Sequence, residues 1–345
     1  MAYTSINKPS DYFNTKLTTG TGSSQAVTGL GFQPDFIWGK RRDDTGHHTL
    51  FDVVRGITKG LETTGTGAEF TSTDYYDSFD SDGFTIAAGA SGAGNGSGQT
   101  AVQWSWLAGG TASSNTNGSI TSTVSANTTS GFSIVKYTGT GANATVGHGL
   151  GVAPKMIIGK GLGNTINWTV GGSNISSNWT SSLALNSTAA VNVANYWQDQ
   201  APNTSTFALS SDIGVNANGL DFIAYCFAEK KGFSKFGSYT GNGSTDGTFC
   251  FTGFKPAFII VKRTDSTGSW LLMDNKRDTF NVCDAELLAN DSFQETLATN
   301  LDILSNGFKL RTTGAEKNAS GGSYIYMAFA ENPLVGTNNI PATAR

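Results

Sequence analysis

Three histidines and three cysteines stand against 26 acidic side chains in this chain, so the reactive groups that a catalyst would need are few. His47 and His48 are adjacent and follow a charged turn, and His148 is far off in sequence. No cysteine or carboxylate lies at metal-ligand spacing from the pair, so the two read as an exposed loop pair and no metal site is expected. Asp77, Asp80 and Asp82 before Gly83 have the oxygen donors that open a calcium loop. The glutamate that would complete such a loop is missing, and a hairpin turn is the expectation. Thr19-Gly20-Thr21-Gly22 suggests a phosphate cradle, but it lacks the Walker lysine and serine and leads into a strand. No Ser-His-Asp set and no glycosidase carboxylate pair can be assembled. The expectation is a protein that is not an enzyme and needs no cofactor. Trp168, Trp179 and Trp197 remain as binding candidates, because a sugar ring stacks on an exposed indole face. Core packing is the competing reading for each of them.

The elements that must position these residues come in triplicate. Pro34-Asp35-Phe36-Ile37-Trp38-Gly39-Lys40 returns as Pro154-Lys155-Met156-Ile157-Ile158-Gly159-Lys160 and as Pro256-Ala257-Phe258-Ile259-Ile260-Val261-Lys262. A glycine turn precedes each copy, with Gly20 and Gly22, Gly139 and Gly141, and Gly241 and Gly243. A strand ending in Ala108, Ala228 or Ala330 follows at the same distance from each proline. The proline suits the first position of a strand. Phe36, Ile37 and Trp38 are apolar at successive positions, which implies burial on both faces. The repeated lysine reads as the point where the strand leaves the core for solvent or protects an edge. The three cysteines do not make a disulfide framework, and those in apolar runs read as small buried residues.

Charged residues are only 14% of the chain, and Gly, Ser, Thr and Asn take their place. That composition, with alternating strands and frequent turn signals, predicts an all-β protein of three tandem β-sandwich modules, jelly-roll-like in size. The boundaries read as an arm over 1–11, modules over 12–110, 119–230 and 231–335, and a tail over 336–345. Residues 109–118 read as a linker. Modules two and three, almost without linker, read as a rigid pair with the looser joint before module two. The loop from Gly89 to Gly98 has no evident reason to be rigid. Residues 282–301 hold the one pattern that suggests a short helix. A net charge of −4 without a basic run argues against a nucleic-acid partner. No segment has the make-up of a signal peptide or a membrane helix.

The phrase Leu50-Phe51-Asp52-Val53-Val54-Arg55-Gly56, with Gly31-Phe32, Asp82-Gly83-Phe84 and Tyr239-Thr240-Gly241-Asn242-Gly243, resembles tandem modules in structural, tail-fibre-like virion proteins of marine tailed bacteriophages. The resemblance implies a surface-displayed virion protein and localisation to the particle. It implies other virion proteins as partners, a homo-oligomer (most plausibly a trimer) and host attachment through a surface glycan. The chain departs from tail fibres in lacking a long anchor, heptads or a shaft, which leaves a capsid-decorating or head-fibre protein as the alternative. A free lectin or a polysaccharide-active enzyme is the remoter one.

Overall fold

A computed structural model describes residues 3–336 and residue 342. The first module contains β1 (Phe13–Thr19), β2 (Gln25–Val27), β3 (Phe36–Arg41), β4 (Thr49–Asp52), β5 (Lys59–Glu62), β6 (Phe70–Thr71), β7 (Tyr76–Asp80), β8 (Gly83–Ile86) and β9 (Thr100–Trp106). The second contains β10 (Ser113–Asn115), β11 (Ser122–Asn127), β12 (Phe132–Thr138), β13 (Ala144–Gly147), β14 (Met156–Gly161), β15 (Thr169–Gly172), β16 (Ser181–Ala184), β17 (Asn192–Val193), β18 (Thr206–Leu209) and β19 (Asp221–Phe227). The third contains β20 (Ser234–Thr240), β21 (Phe249–Phe251), β22 (Phe254–Arg263), β23 (Trp270–Asp274), β24 (Cys283–Leu288), β25 (Thr296–Leu304), β26 (Gly307–Leu310) and β27 (Ser323–Pro333).

The same layout is built three times among the described residues. An inner sheet runs β1-β9-β3-β4-β5, matched by β12-β19-β14-β15-β16 and β20-β27-β22-β23-β24. An outer layer is β2-β8-β7 in the first module, β13-β18 in the second and β21-β26-β25 in the third. Each module is therefore an antiparallel β-sandwich. Its pairing of first, last and third strands follows a jelly roll, but the layers are unequal.

The registers fix which residues correspond. Phe36 pairs with Trp106, Met156 with Phe227 and Phe258 with Phe329. The backbone N–H groups of Leu107, Ala228 and Ala330 then bond the carbonyls of Tyr12, Gly131 and Phe233. The first module's counterpart of Ala228 and Ala330 is thus Leu107, not Ala108, so the repeat is one residue shorter there than the alanine spacing implies.

The central strand of each inner sheet is buried on both faces, because two cores use it. Ile37, Ile157 and Ile259 face their own outer layers. Phe36 and Trp38, Met156 and Ile158, and Phe258 and Ile260 turn the other way into one core shared by all three modules. There Phe36 meets Tyr225 at 4.5 Å between ring centres, and Trp106 meets Phe258 at 5.7 Å. Each such side chain contributes about 1.5–3 kcal/mol on full burial, so this shared core binds the modules into one body.

Four expectations about the connections are corrected. Residues 109–118 are no loose linker: β10 pairs with β11, Gly109 donates to Ser125 Oγ and Gly110 to Asp35 Oδ2. The joint before module two is therefore tied down. Residues 282–301 form parts of β24 and β25 rather than a helix. The loop from Gly89 to Gly98 is pinned from inside by Asn95, which has no exposure. The arm packs on module three of its own chain, where Tyr3 Oη donates to Gly253 O and Thr4 Oγ1 to Lys231 O. The tail over 336–345 lies, apart from Gly336 and Ala342, outside the described residues.

Candidate functional site: the three junctions between modules

The residues that the repeat retains converge where one module meets the next. The amide of Glu69 donates to Leu162 O at 2.8 Å, that of Val191 to Thr264 O at 2.9 Å and that of Glu295 to Arg42 O at 2.9 Å. These bonds run from module one to two, from two to three and from three back to one. The chain therefore closes into a ring with threefold pseudosymmetry.

The residue at the head of the strand after the central one adds a side-chain donor at two of the junctions. Trp168 Nε1 donates to Glu62 O at 2.8 Å, and Trp270 Nε1 donates to Ala184 O at 2.9 Å. His48 holds the matching position in module one and Leu288 is the counterpart of Glu62 and Ala184, but the imidazole Nε2 is buried without a hydrogen-bond partner. Its Nδ1 accepts from Trp38 Nε1 at 2.9 Å, so the hydrogen belongs on Nε2. His48 is fully buried, which corrects the expectation of an exposed pair; only His47 is exposed. Burial, reinforced by the charges of Lys40 and Arg277, pushes the imidazole well below its usual range.

Lys40, Lys160 and Lys262 do not leave the core for solvent either. All three have no exposure. Each ammonium donates to the carbonyl of the next residue, Arg41, Gly161 or Arg263, at 2.6, 2.9 and 2.7 Å. Lys160 also reaches Thr66 O, and Lys262 reaches Thr188 O and Ala189 O, on the preceding module. Burial lowers each lysine to about 8.

Two junctions contain a buried ion-pair set. Arg55 Nε donates to Asp52 Oδ2 at 2.6 Å, Tyr225 Oη of module two donates to the same oxygen at 2.8 Å, and Glu69 completes the set. Arg277 Nε donates to Asp274 Oδ2 at 2.5 Å, Trp104 Nε1 of module one adds a bond at 3.1 Å, and Glu295 bridges Arg277 and Arg42. Burial raises the Asp274 carboxyl, but Arg277 outweighs that and leaves it below the usual range. At the third junction Gly172, Ile175, Val191 and Met327 stand in the places of aspartate, arginine, glutamate and ring donor, and Ile175 packs on the shared core. Three of the four charged or polar positions have been replaced by apolar residues and the fourth by glycine, as a set.

The Thr-Gly-x-Gly turns are structural, and each is held by an asparagine outside the motif. Asn95 Oδ1 accepts from Thr21 N, Asn216 Oδ1 from Thr140 N and Asn318 Oδ1 from Asn242 N. Their amide groups donate to backbone carbonyls around the same turns. A Cβ on Gly20, Gly139 or Gly241 would stand 2.2–2.3 Å from a backbone oxygen of the asparagine loop, so only glycine fits. The signal was present in the sequence, since each asparagine precedes Trp106, Phe227 or Phe329 by an identical interval.

The three binding candidates are in the interior. Trp168, Trp179 and Trp197 are each at most 2% exposed, so none offers a face to a sugar. Trp168 closes a junction, while Trp179 and Trp197 cross edge to face inside module two, with Trp197 Nε1 on Ser182 Oγ. Asp82 accepts from Gly29 N and Gly31 N across a hairpin, and His148 Nε2 lies against Asn203 O. The three cysteines are free and buried. No cluster with metal-ligand character occurs among the described residues. An open groove of about 290 Å³ lies between Thr66 of module one and Asn167, Tyr196, Asp212 and Ile213 of module two.

A family model described as Domain of unknown function (DUF7483) matches residues 8–333, and the chain belongs to that family. The match runs through all three modules as one unit. No curated protein and no solved structure matches the chain.

Proposed function

We propose that this member of the DUF7483 family is a non-enzymatic structural protein displayed on the surface of a bacteriophage particle, in contact with other virion proteins. One observation carries the reading. The repeated residues with chemical potential, the three lysines, the buried aspartates and arginines and the indoles, are committed to carbonyls and partners inside the chain, several of them across a junction. Residues used in that way serve assembly and rigidity, and the phage resemblance supplies the setting. With the tryptophans buried, a host glycan in the tail-fibre reading would sit in the groove at Tyr196, Asn167 and Asp212.

The decoration reading draws on the symmetry. A threefold arrangement inside one chain matches the threefold positions of an icosahedral head, and it needs no second copy. The homotrimer implied by the fibre resemblance would instead gather three such rings. Immunogold electron microscopy of intact particles with antibody against this chain separates the cases. Gold at the tail supports attachment, gold over the head supports decoration, and particles bearing no more gold than a control refute both.

A further inference from the structure

The outer layers of the three modules correspond strand for strand, but one of them turns aromatic rings outward. Val27, Val146 and Cys250 are equivalent, because each pairs with the matching phenylalanine, Phe84, Phe207 or Phe308, and each faces its own module's core. Their chain neighbours point the opposite way. These are Ala26 and Thr28 in module one, Thr145 and Gly147 in module two, and Phe249 and Phe251 in module three. Phe249 is 43% and Phe251 54% exposed. Asn281 Nδ2 donates to Ile303 O and its Oδ1 accepts from Ile303 N, which holds Phe280 and Val282, 78% and 41% exposed, against the same layer. Between Phe251 and that loop, the outward positions of β26 and β25 are Gly307 and Leu304.

In module two the same face is covered by the chain itself. A side chain on Gly147 would run into Asn115, and the amides of Ser119 and Ile120 donate to Thr145. That cover comes from the long connection between β9 and β12. β19 and β20 are joined only by residues 228–233, so their connection has nothing to lay over module three.

We propose that this face of module three docks the same face of a second copy of the chain across a twofold axis, with Phe249 and Phe251 of each copy at the centre. Area argues for it. A phenylalanine buries about 150–250 Å², so the three rings and the valine leave about 350 Å² of apolar surface uncovered per copy. An interface of standard size takes about 800 Å² from each partner, somewhat over half of it apolar. The patch alone supplies most of that apolar part. Charge argues for it as well. Lys309 pairs with Asp246 and Arg311 with Asp302 beside the patch, so its rim is balanced and two copies meet without net repulsion. A nucleic acid or an anionic membrane would call for an excess of positive charge. Each ring carries the patch on one module, so the contact is used up when two copies meet and the assembly stops there. This inference rests on the surface of module three and not on which particle, if any, carries the protein.

The test is analytical ultracentrifugation of the full chain over about 1–100 μM, a range that brackets a micromolar dissociation constant. The mass should rise from one copy to two and no further. Phe249→Ala with Phe251→Thr installs the residues that module one has at these positions. It should raise the dissociation constant about a hundredfold, as expected for two central aromatic residues of an interface. Phe293→Ala removes an exposed ring outside the patch, next to the bond from Gly46 N to Ser292 O, and should leave the constant unchanged. One copy throughout the range overturns the proposal and leaves the patch to a different partner. A mass of three copies also overturns it, in favour of the fibre-type trimer. So does a dimer that the double variant does not weaken, or that Phe293→Ala weakens as much. Should the double variant fail to fold, hydroxyl-radical footprinting of the native chain replaces it. Loss of labelling at Phe249, Phe251 and Phe280 but not at Phe293 as the dimer forms supports this face, and unchanged labelling there refutes it.

Discussion

A lysine at the end of a buried strand must find polar partners if it does not reach water. Lys40, Lys160 and Lys262 find carbonyls, some from the module next door. The pH dependence follows from their values near 8 against 10.5 in the unfolded chain. Between those values the unfolded state binds more protons, so stability rises with pH across that window. The cysteines act with the opposite sign. Burial raises Cys226, Cys250 and Cys283 above 9.0, Cys250 to about 12, so the unfolded chain releases those protons first and stability falls above 9.0. The gain should therefore appear between about pH 8 and 9 and fade beyond it, read as urea midpoints under reducing conditions. A midpoint that declines steadily from about pH 7.5 would contradict the lysine placement. The lysines show where reading the sequence stops. Their type and position at the end of an apolar run favour exit to solvent, and their acceptors are backbone atoms of another module that no local pattern announces. The tryptophans of module two failed for a related reason. Core packing was the leading reading for each of them, and the polar residues between them kept exposure open beside it. Asn95, Asn216 and Asn318 were legible and missed, because Gly-rich loops draw attention to their glycines.

Among the elements, the doubly buried central strand was readable from three apolar residues in a row, and a proline two residues ahead of them marked it each time, although none opens its strand: β3 and β14 begin after Pro34 and Pro154, and β22 begins before Pro256. The segment 109–118 was not, because Ser, Thr, Gly and Asn have the composition of a linker even where β10 pairs with β11. Residues 282–301 failed because the apolar spacing of two short strands, broken by a bulge, imitates a helical period. The junctions also contain a comparison made by the chain itself. Modules one and three use aspartate, arginine and glutamate, where module two uses Gly172, Ile175 and Val191. A lone Arg55→Ile substitution leaves Asp52 buried and uncompensated and should cost about 3–5 kcal/mol. Combining it with Asp52→Gly, Glu69→Val and Tyr225→Met installs the set found at the other junction and should recover most of that loss. Chemical denaturation of the two variants checks this. If the fourfold variant is less stable than Arg55→Ile alone, the sets are not interchangeable.

At the scale of the molecule, three sandwiches share one apolar core, and three matching junctions return the chain to its start. The repeat predicted the modules, but it also suggested domains in series with joints of unequal stiffness. What closes the ring, the bond from Glu295 to Arg42 and the arm over module three, joins residues far apart in sequence, which local patterns do not reveal. The family match over residues 8–333 agrees with a unit that is not divisible into modules. If the modules depend on the shared core, they must unfold together. Scanning calorimetry of the full chain at neutral pH measures this most directly. The ring predicts a single transition whose calorimetric and van't Hoff enthalpies agree, at about 0.7 kcal/mol per residue near 60 °C. Two or three resolved transitions, each of module size, would contradict it and return the protein to independent domains on a string.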